Sequence, residues 1–254
     1  MPLRARPAGF CERANERPRA GRGRGVENEY EHGAHQRSLA AASRLGFSGW
    51  CLMATVRAYI GLGANIGDAQ ATLTAAVHAL AALPGASVAG VSRLYVTAPL
   101  EVTDQPDFHN AVVALDLPAR PGPNTGPIAL LLALKSIERS LGRQDRFRYG
   151  PRELDLDVLI FGDEQMAVER PEAGLSPDPA KATRLLEVPH PQAGRRLFVL
   201  APLADLAPDL IPPGWPESVQ QARARRESIE GAEAVRPIAS WDAAAGLWVD
   251  DLTT

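Results

Sequence analysis

Between residues 56 and 161 the apolar positions switch between two periods, and the switching outlines a fold. Residues 56–62 alternate and read as a strand, and Gly63-Ala64-Asn65-Ile66-Gly67-Asp68 turns into an Ala-rich amphipathic helix over residues 69–83, ended by Pro84-Gly85. Residues 88–97 and 109–117 read as two further strands, the latter with alternating Ala and Val. The polar, proline-punctuated stretch 98–107 between them is a loop. Residues 127–141 form a second helix, with Pro127 at its start and Gly142 at its stop, and residues 153–161 a fourth strand. The order β-α-β-β-α-β predicts an α+β, ferredoxin-like fold: an antiparallel sheet with the helices on one face, plus a C-terminal elaboration. In that elaboration residues 196–207 suggest a further strand or short helix, and residues 216–231 a surface helix. The pattern gives the tail with Trp241 and Trp248 no place, and it contains no internal repeat.

Residues 1–54 lack such periodicity and are rich in Arg, Gly and Ala, as in Arg19-Ala20-Gly21-Arg22-Gly23-Arg24-Gly25. They are expected to be disordered or spurious, with translation beginning at Met53; a basic RNA-binding arm or a targeting peptide is weakened by the five Glu among them. The expected organisation is therefore a basic extension over 1–54, a main folded domain over 55–212, and a C-terminal helix and tail over 213–254. The net charge of −3 hides an asymmetry. Residues 1–54 carry nine Arg against five Glu, which leaves 18 basic and 25 acidic groups, or −7, for the remainder. A body of that sign does not bind nucleic acid nonspecifically, so phosphate recognition must come from a local cluster. Cys11 and Cys51 form no Cys-x-x-Cys pair and suggest neither zinc nor a disulfide framework, which fits a reducing cytoplasm. No apolar run approaches membrane-spanning length, so a soluble protein is expected.

The local basic cluster exists, and it flanks the most informative stretch of the chain. In Gly150-Pro151-Arg152-Glu153-Leu154-Asp155-Leu156-Asp157, strand alternation turns Leu154, Leu156 and Val158 one way and Asp155 and Asp157 the other, about 7 Å apart. Two neighbouring anions repel unless a cation lies between them, and hard divalent ions such as Mg²⁺ favour carboxylates together with substrate phosphates. Arg143, Arg146, Arg148 and Arg152 lie within ten residues, and Lys135 and Arg139 stand upstream on the second helix. Guanidinium forks match phosphate oxygens, so the stretch reads as a seat for a metal-bound polyphosphate. The bland alternatives are a solvated polar face and arginines that pair only with aspartates.

Two other motifs are weaker. Gly61-Leu62-Gly63-Ala64-Asn65-Ile66-Gly67 has its third glycine one residue too late for a dinucleotide fingerprint and no Walker lysine, so its glycines serve close packing or a ligand's approach to the backbone. His190, in Val188-Pro189-His190-Pro191, can be a metal ligand, a phosphate contact or a turn residue; Arg195 and Arg196 nearby favour the phosphate.

Four segments in order, Tyr59-Ile60-Gly61-Leu62-Gly63-Ala64-Asn65, Tyr95-Val96-Thr97-Ala98-Pro99-Leu100 with Asp104-Gln105-Pro106-Asp107-Phe108-His109-Asn110, the Gly150-to-Asp157 stretch, and Val188-Pro189-His190, resemble the 6-hydroxymethyl-7,8-dihydropterin pyrophosphokinase family over residues 58–210. The resemblance implies transfer of diphosphate from ATP to a pterin alcohol in folate biosynthesis, by a monofunctional cytoplasmic monomer without nucleic-acid or membrane partners. It implies that Asp155 and Asp157 hold two Mg²⁺ ions bridging the ATP phosphates, and that Arg143 and Arg152 engage those phosphates. Lys135, Glu138, His190 and Arg196 fall at ATP-contacting positions, Lys135 where Gln is usual. Tyr149 and Phe198 would flank the pterin ring, Asn110 would read its amide-like edge, and Asn65, Thr97, Leu100 and Phe108 would complete the pocket. The chain departs from the pattern at Tyr149 (usually Trp), Phe108 (usually Tyr), Asp145 (often basic) and Leu185, where the family arginine is displaced to Arg184. Rival readings are a catalytically silent ferredoxin-like nucleotide sensor and an RNA-associated protein that uses the basic arm.

Overall fold

The structure is a computed structural model, and it describes residues 54–99, 102–119, 125–144, 150–170 and 184–251. These form a mixed α/β fold built on a large antiparallel sheet. Strands β1 (Thr55–Ala64), β2 (Ser87–Val91), β3 (Leu94–Thr97), β4 (Phe108–Pro118), β5 (Asp155–Phe161), β8 (Val235–Asp242) and β9 (Leu247–Asp250) make one sheet. Its order is β5-β1-β4-β3-β8-β9, with β2 also paired to β4. Strands β6 (Met166–Glu169) and β7 (Arg184–Val188) form a separate antiparallel pair. The stretch expected as one strand over 88–97 is two, because Ser92 leaves the ladder: its hydroxyl accepts from the Val112 N–H and donates to the Arg93 carbonyl.

Helix α1 (Ala69–Ala81) begins where the sequence places it, since the Asp68 carboxylate accepts from the Ala71 N–H at 2.9 Å. Helix α2 (Gly126–Ser140) carries Pro127 in its first turn. Both bury their apolar stripes, Leu73, Val77 and Leu80 of α1 and Leu130, Leu134 and Ile137 of α2, in one cluster with Ile60, Leu62, Val113, Leu115, Leu154, Leu156 and Val158.

The opposite sheet face is also covered. Residues 196–207, expected as a strand or short helix, are a helix, α3 (Leu197–Leu206), and it is followed by α4 (Val219–Glu230), opened by a Ser218/Gln221 capping box. Leu200, Leu203 and Ala204 of α3 and Val219 and Ala222 of α4 pack on Tyr59, Val112, Ala114 and Leu159. Helices on one face are thus only half of the architecture; the sheet lies between two helical layers. The tail adds strands to this sheet: β8 pairs antiparallel with β3, and β9 with β8. No helix among the described residues is long and apolar enough to cross a membrane.

Candidate active site

Sheet register assembles the site. On the face that carries α3, Asp155 of β5 lies opposite Gly63 of β1, Gly63 opposite Asn110 of β4, and Asn110 opposite Tyr95 of β3. One row runs across four strands. Asp157 pairs in the same way with Gly61, and Gly61 with Val112. Glycine at 61 and 63 leaves this floor flat beside the two carboxylates: a Cβ on Gly63 would stand 3.4 Å from the Asn110 Oδ1, and one on Gly61 would press on Leu159 at 3.2 Å.

At the acidic end of the row, burial opposes ionisation of Asp155, yet Arg152, Lys135 and Arg143 outweigh it and hold the carboxyl well below the usual carboxylate range. Arg143 Nη1 donates to Asp155 Oδ1 at 2.5 Å, and Arg152 Nη1 pairs with Oδ2. Asp157 makes no hydrogen bond or ion pair with any of the described residues. Among the described residues the pair is therefore asymmetric: two guanidiniums grip Asp155, while Asp157 is met by Arg143 through its charge alone.

Lys135 and Glu138 sit differently. Strand β5 is a sheet edge, and its Leu156 N–H and carbonyl point away from β1 toward α2. Glu138, 2% exposed, accepts the Leu156 N–H at 2.7 Å, while Lys135 Nζ donates to the Leu156 carbonyl at 3.1 Å and to Glu138 at 2.6 Å. Arg143 reaches the same Glu138 oxygen at 2.7 Å. Burial pushes the Glu138 carboxyl up, against the pull of Lys135 and Arg143. Together they satisfy the open edge and anchor Arg143 beside Asp155.

Asn65, 4% exposed, is a clasp. Its N–H donates to the Arg152 carbonyl at 2.9 Å, its Oδ1 accepts the Arg152 N–H at 2.7 Å, and its Nδ2 donates to Gln105 Oε1 and the Pro106 carbonyl, each at 3.0 Å. It fixes the backbone of Arg152 against the loop before β4. Sequence reasoning did not assign Gln105 a part in this, although it stands inside the second family-like segment.

At the other end, Asn110 Nδ2 donates to Thr97 Oγ1 at 2.9 Å, leaving Asn110 Oδ1 over Gly63. Phe108 lies opposite Thr97 in register. Phe198, in the first turn of α3, faces a cavity of about 130 Å³ that Thr97 also lines. The Arg196 guanidinium lies 5.6 Å from the Phe198 ring centroid. His190 follows a cis Val188–Pro189 bond, its N–H donating to the Leu159 carbonyl at 2.8 Å. Its Nδ1 accepts the Gln192 N–H at 3.2 Å, which assigns the ring proton of the neutral form to Nε2. His190 lines a second cavity, of about 340 Å³, with Trp215. Leu100 and Tyr149, expected at the pterin, lie outside the described residues, as do Asp145, Arg146 and Arg148.

The sequence reading had no pointer to one arrangement. Asp205 of α3 accepts from the Tyr95 hydroxyl at 2.9 Å and from Arg93 Nη2 at 2.6 Å, tying α3 to β3 beneath the Phe198 pocket.

Comparison with known proteins places the chain in a family. The family model described as 7,8-dihydro-6-hydroxymethylpterin-pyrophosphokinase matches residues 59–208. A protein of Pseudomonas aeruginosa named 2-amino-4-hydroxy-6-hydroxymethyldihydropteridine pyrophosphokinase is 42% identical over 159 residues, 62% of this chain and 85% of that protein. One of the same name from Methylorubrum extorquens is 43% identical over 169 residues, 66% of this chain and 92% of that one. Among solved structures, the wild-type HPPK-DHPS of Plasmodium falciparum aligns with a TM-score of 0.58 at 14% identity, over 78% of this chain and 50% of that longer one, a likeness of fold. With a family model matched over more than half its length, this chain belongs to the 7,8-dihydro-6-hydroxymethylpterin-pyrophosphokinase family.

Proposed function

We propose that the row from Asp155 to Tyr95, with Phe198 of α3 beside it, is the active site of an ATP-dependent diphosphotransferase acting on 6-hydroxymethyl-7,8-dihydropterin in folate biosynthesis. Family membership supports the reaction, and the register Asp155-Gly63-Asn110 supports locating it at this row. The pterin hydroxymethyl oxygen attacks the β-phosphorus of ATP, the bond from that phosphorus to the bridging α,β-oxygen breaks, AMP leaves with that oxygen, and the hydroxyl proton passes to solvent. Little covalent work falls to the protein, so positioning and charge complementarity dominate.

Arg143 and Arg152 are the cations at the acidic end, and both can exchange Asp155 for phosphate oxygens when nucleotide arrives. Asp155 and Asp157 fit Mg²⁺, which takes one or two carboxylates and leaves its other positions to phosphate and water. Flat glycine backbone beside them leaves room for both. Two Mg²⁺ held there would neutralise the phosphates and polarise the β-phosphorus. His190 and Arg196, at the turn leading into α3, are suited to the triphosphate, and Lys135 to the nucleoside side, with the buried Glu138 acting through Lys135 and Arg143. Asn110, Thr97, Phe108 and Phe198 form the pterin end, with Leu100 and Tyr149 as further members and Asn65 acting through the backbone of Arg152.

The sheet order β5-β1-β4-β3 with α1 and α2 on one face supports a ferredoxin-like core, elaborated by everything after β5. A catalytic unit starting near residue 55, preceded by an extension outside it, is the organisation this supports, in a cytoplasmic monomer whose −7 body has no nucleic-acid partner. The test is direct: purified protein with ATP, Mg²⁺ and the reduced pterin forms AMP and pterin diphosphate in equal amounts. AMP formation no faster than in a protein-free control overturns the reading.

A further inference from the structure

The cavity at Phe198 has a wall that comes from the last quarter of the chain, beyond the residues matched by the family model. Thr97, Pro99 and Phe198 line one side, and Glu230, Ala234 and Val235 the other. The second side is fixed to the first. Val235 lies opposite Thr97 in the β3–β8 ladder and is buried in one cluster with Tyr95, Leu197, Ala201 and the partly buried Phe198. Gly231, at φ +91°, ends α4 so that the chain can turn from Glu230 into this ladder.

Among the described residues Glu230 is the one ionisable side chain of that lining. Both donors of Arg226 converge on its Oε1, Nε at 2.8 Å and Nη2 closer still, and among the described residues its Oε2 has no other partner. A half-buried carboxylate oxygen beside an aromatic ring and an apolar wall is a strong acceptor whose desolvation is offset only when it meets a donor. The flat substrate of the proposed reaction brings such donors: the exocyclic amine and ring N–H of the pterin are adjacent and in plane. Thr97 Oγ1 already accepts from Asn110 Nδ2, so one of its two lone pairs is occupied, and Glu230 adds a charged acceptor to the same cavity lining.

We infer that Glu230 is a substrate-recognition residue, its carboxylate accepting from the amino-bearing edge of the pterin while Phe198 packs on the ring face. The inference rests on the proposed function and adds a residue from the C-terminal elaboration to its pocket. The strength of a hydrogen bond to a charged group sets the expected effect at about tenfold or more in affinity.

The experiment compares the wild type, Glu230→Gln and Glu230→Ala in AMP release and in equilibrium binding of two ligands, the reduced pterin and the analogue lacking its 2-amino group. Expected are a pterin KM and Kd raised about tenfold or more in both variants, an ATP KM within twofold of the wild type, and loss of the wild-type preference for the pterin over the deaminated analogue. Glu230→Asp, which keeps the charge, should recover part of the affinity. Melting temperatures accompany these measurements, because a merely structural Glu230 would lower them and leave the preference between the two ligands intact. Normal wild-type turnover with unchanged pterin Kd and preference in both variants overturns this inference alone. No AMP from the wild type overturns the functional reading and this inference with it.

Discussion

Asp155 and Asp157 differ by two positions in one strand and by everything that surrounds them. Asp155 is engaged by Arg143 and Arg152, so its removal frees two partly buried guanidiniums, whereas Asp157, opposite Gly61 in register, has no hydrogen-bond or ion-pair partner among the described residues. Asp157→Ala should therefore lower kcat by about 10²–10³-fold, comparable to removing one electrostatic stabiliser of a transition state, while shifting Tm by no more than about 2 °C. AMP release and a thermal melt on the same sample check this, and a Tm loss without a rate loss would sink it. His109 offers a second test. It lies beside Asn110 but belongs to the opposite face, where its Nδ1 is buried without a hydrogen-bond partner among the described residues. Burial lowers its pKa, against the smaller opposing influence of Asp107 and Asp68. A depressed histidine stays neutral in the folded protein while the unfolded chain takes up a proton, so its contribution is full above about pH 6.5 and is lost as pH falls toward the folded value. Asp155, also depressed, keeps its contribution down to lower pH, where the unfolded carboxyl protonates. His109→Phe should accordingly flatten Tm between about pH 6.5 and 5 and leave the steeper loss below pH 4 in place. Melting curves across that range decide it.

Among the elements, two attachments matter for the site. Helix α3 carries Phe198 at its first turn and Asp205 near its end, and Asp205 binds Arg93 and the Tyr95 hydroxyl. Burial, and then the Asp205 charge, push the Tyr95 hydroxyl far above its ordinary pKa, so it stays a donor at any working pH. Asp205→Ala should destabilise the fold by about 1–3 kcal/mol, because the buried Tyr95 hydroxyl loses its acceptor while the Arg93 guanidinium is partly solvated, and raise the pterin KM more than the ATP KM. Denaturant melts and the two KM values measure both effects. The β8–β9 hairpin is the other attachment. Trp248 is 2% exposed, meets Trp241 edge-on with ring centroids 4.8 Å apart, and donates its indole N–H to the Ser92 carbonyl at 2.9 Å. Trp248→Ala should cost about 3–5 kcal/mol, because a large cavity opens and the Ser92 carbonyl loses its donor. A loss under 1 kcal/mol would show that the hairpin is peripheral. Neither attachment was legible in the chain: Ser92 and Trp248 are 156 residues apart, and Arg93 and Asp205 are 112. Local periodicity carries no information about such pairs.

Over the whole molecule, one sheet separates two helical layers, and the reactive row lies on the face that α3 and α4 cover. The unmatched N-terminal stretch carries the opposite charge sign to the rest of the chain. A protein beginning at Met53 should keep the kcat, both KM values and the Tm of the full chain, and side-by-side kinetics would expose any role of residues 1–52.

The order of the first strands and helices, the turn chemistry at Asp68 and Gly142, and the side-by-side carboxylates of Asp155 and Asp157 follow from the sequence alone, because each depends on residues a few positions apart. Sequence motifs also carried the family. Which groups meet Asp155, how Lys135 and Glu138 close the edge of β5, why α3 is a helix on the far face, and that β8 forms a pocket wall were decided only in three dimensions. Strand alternation says which way a side chain points; register and packing between distant segments say what it finds there.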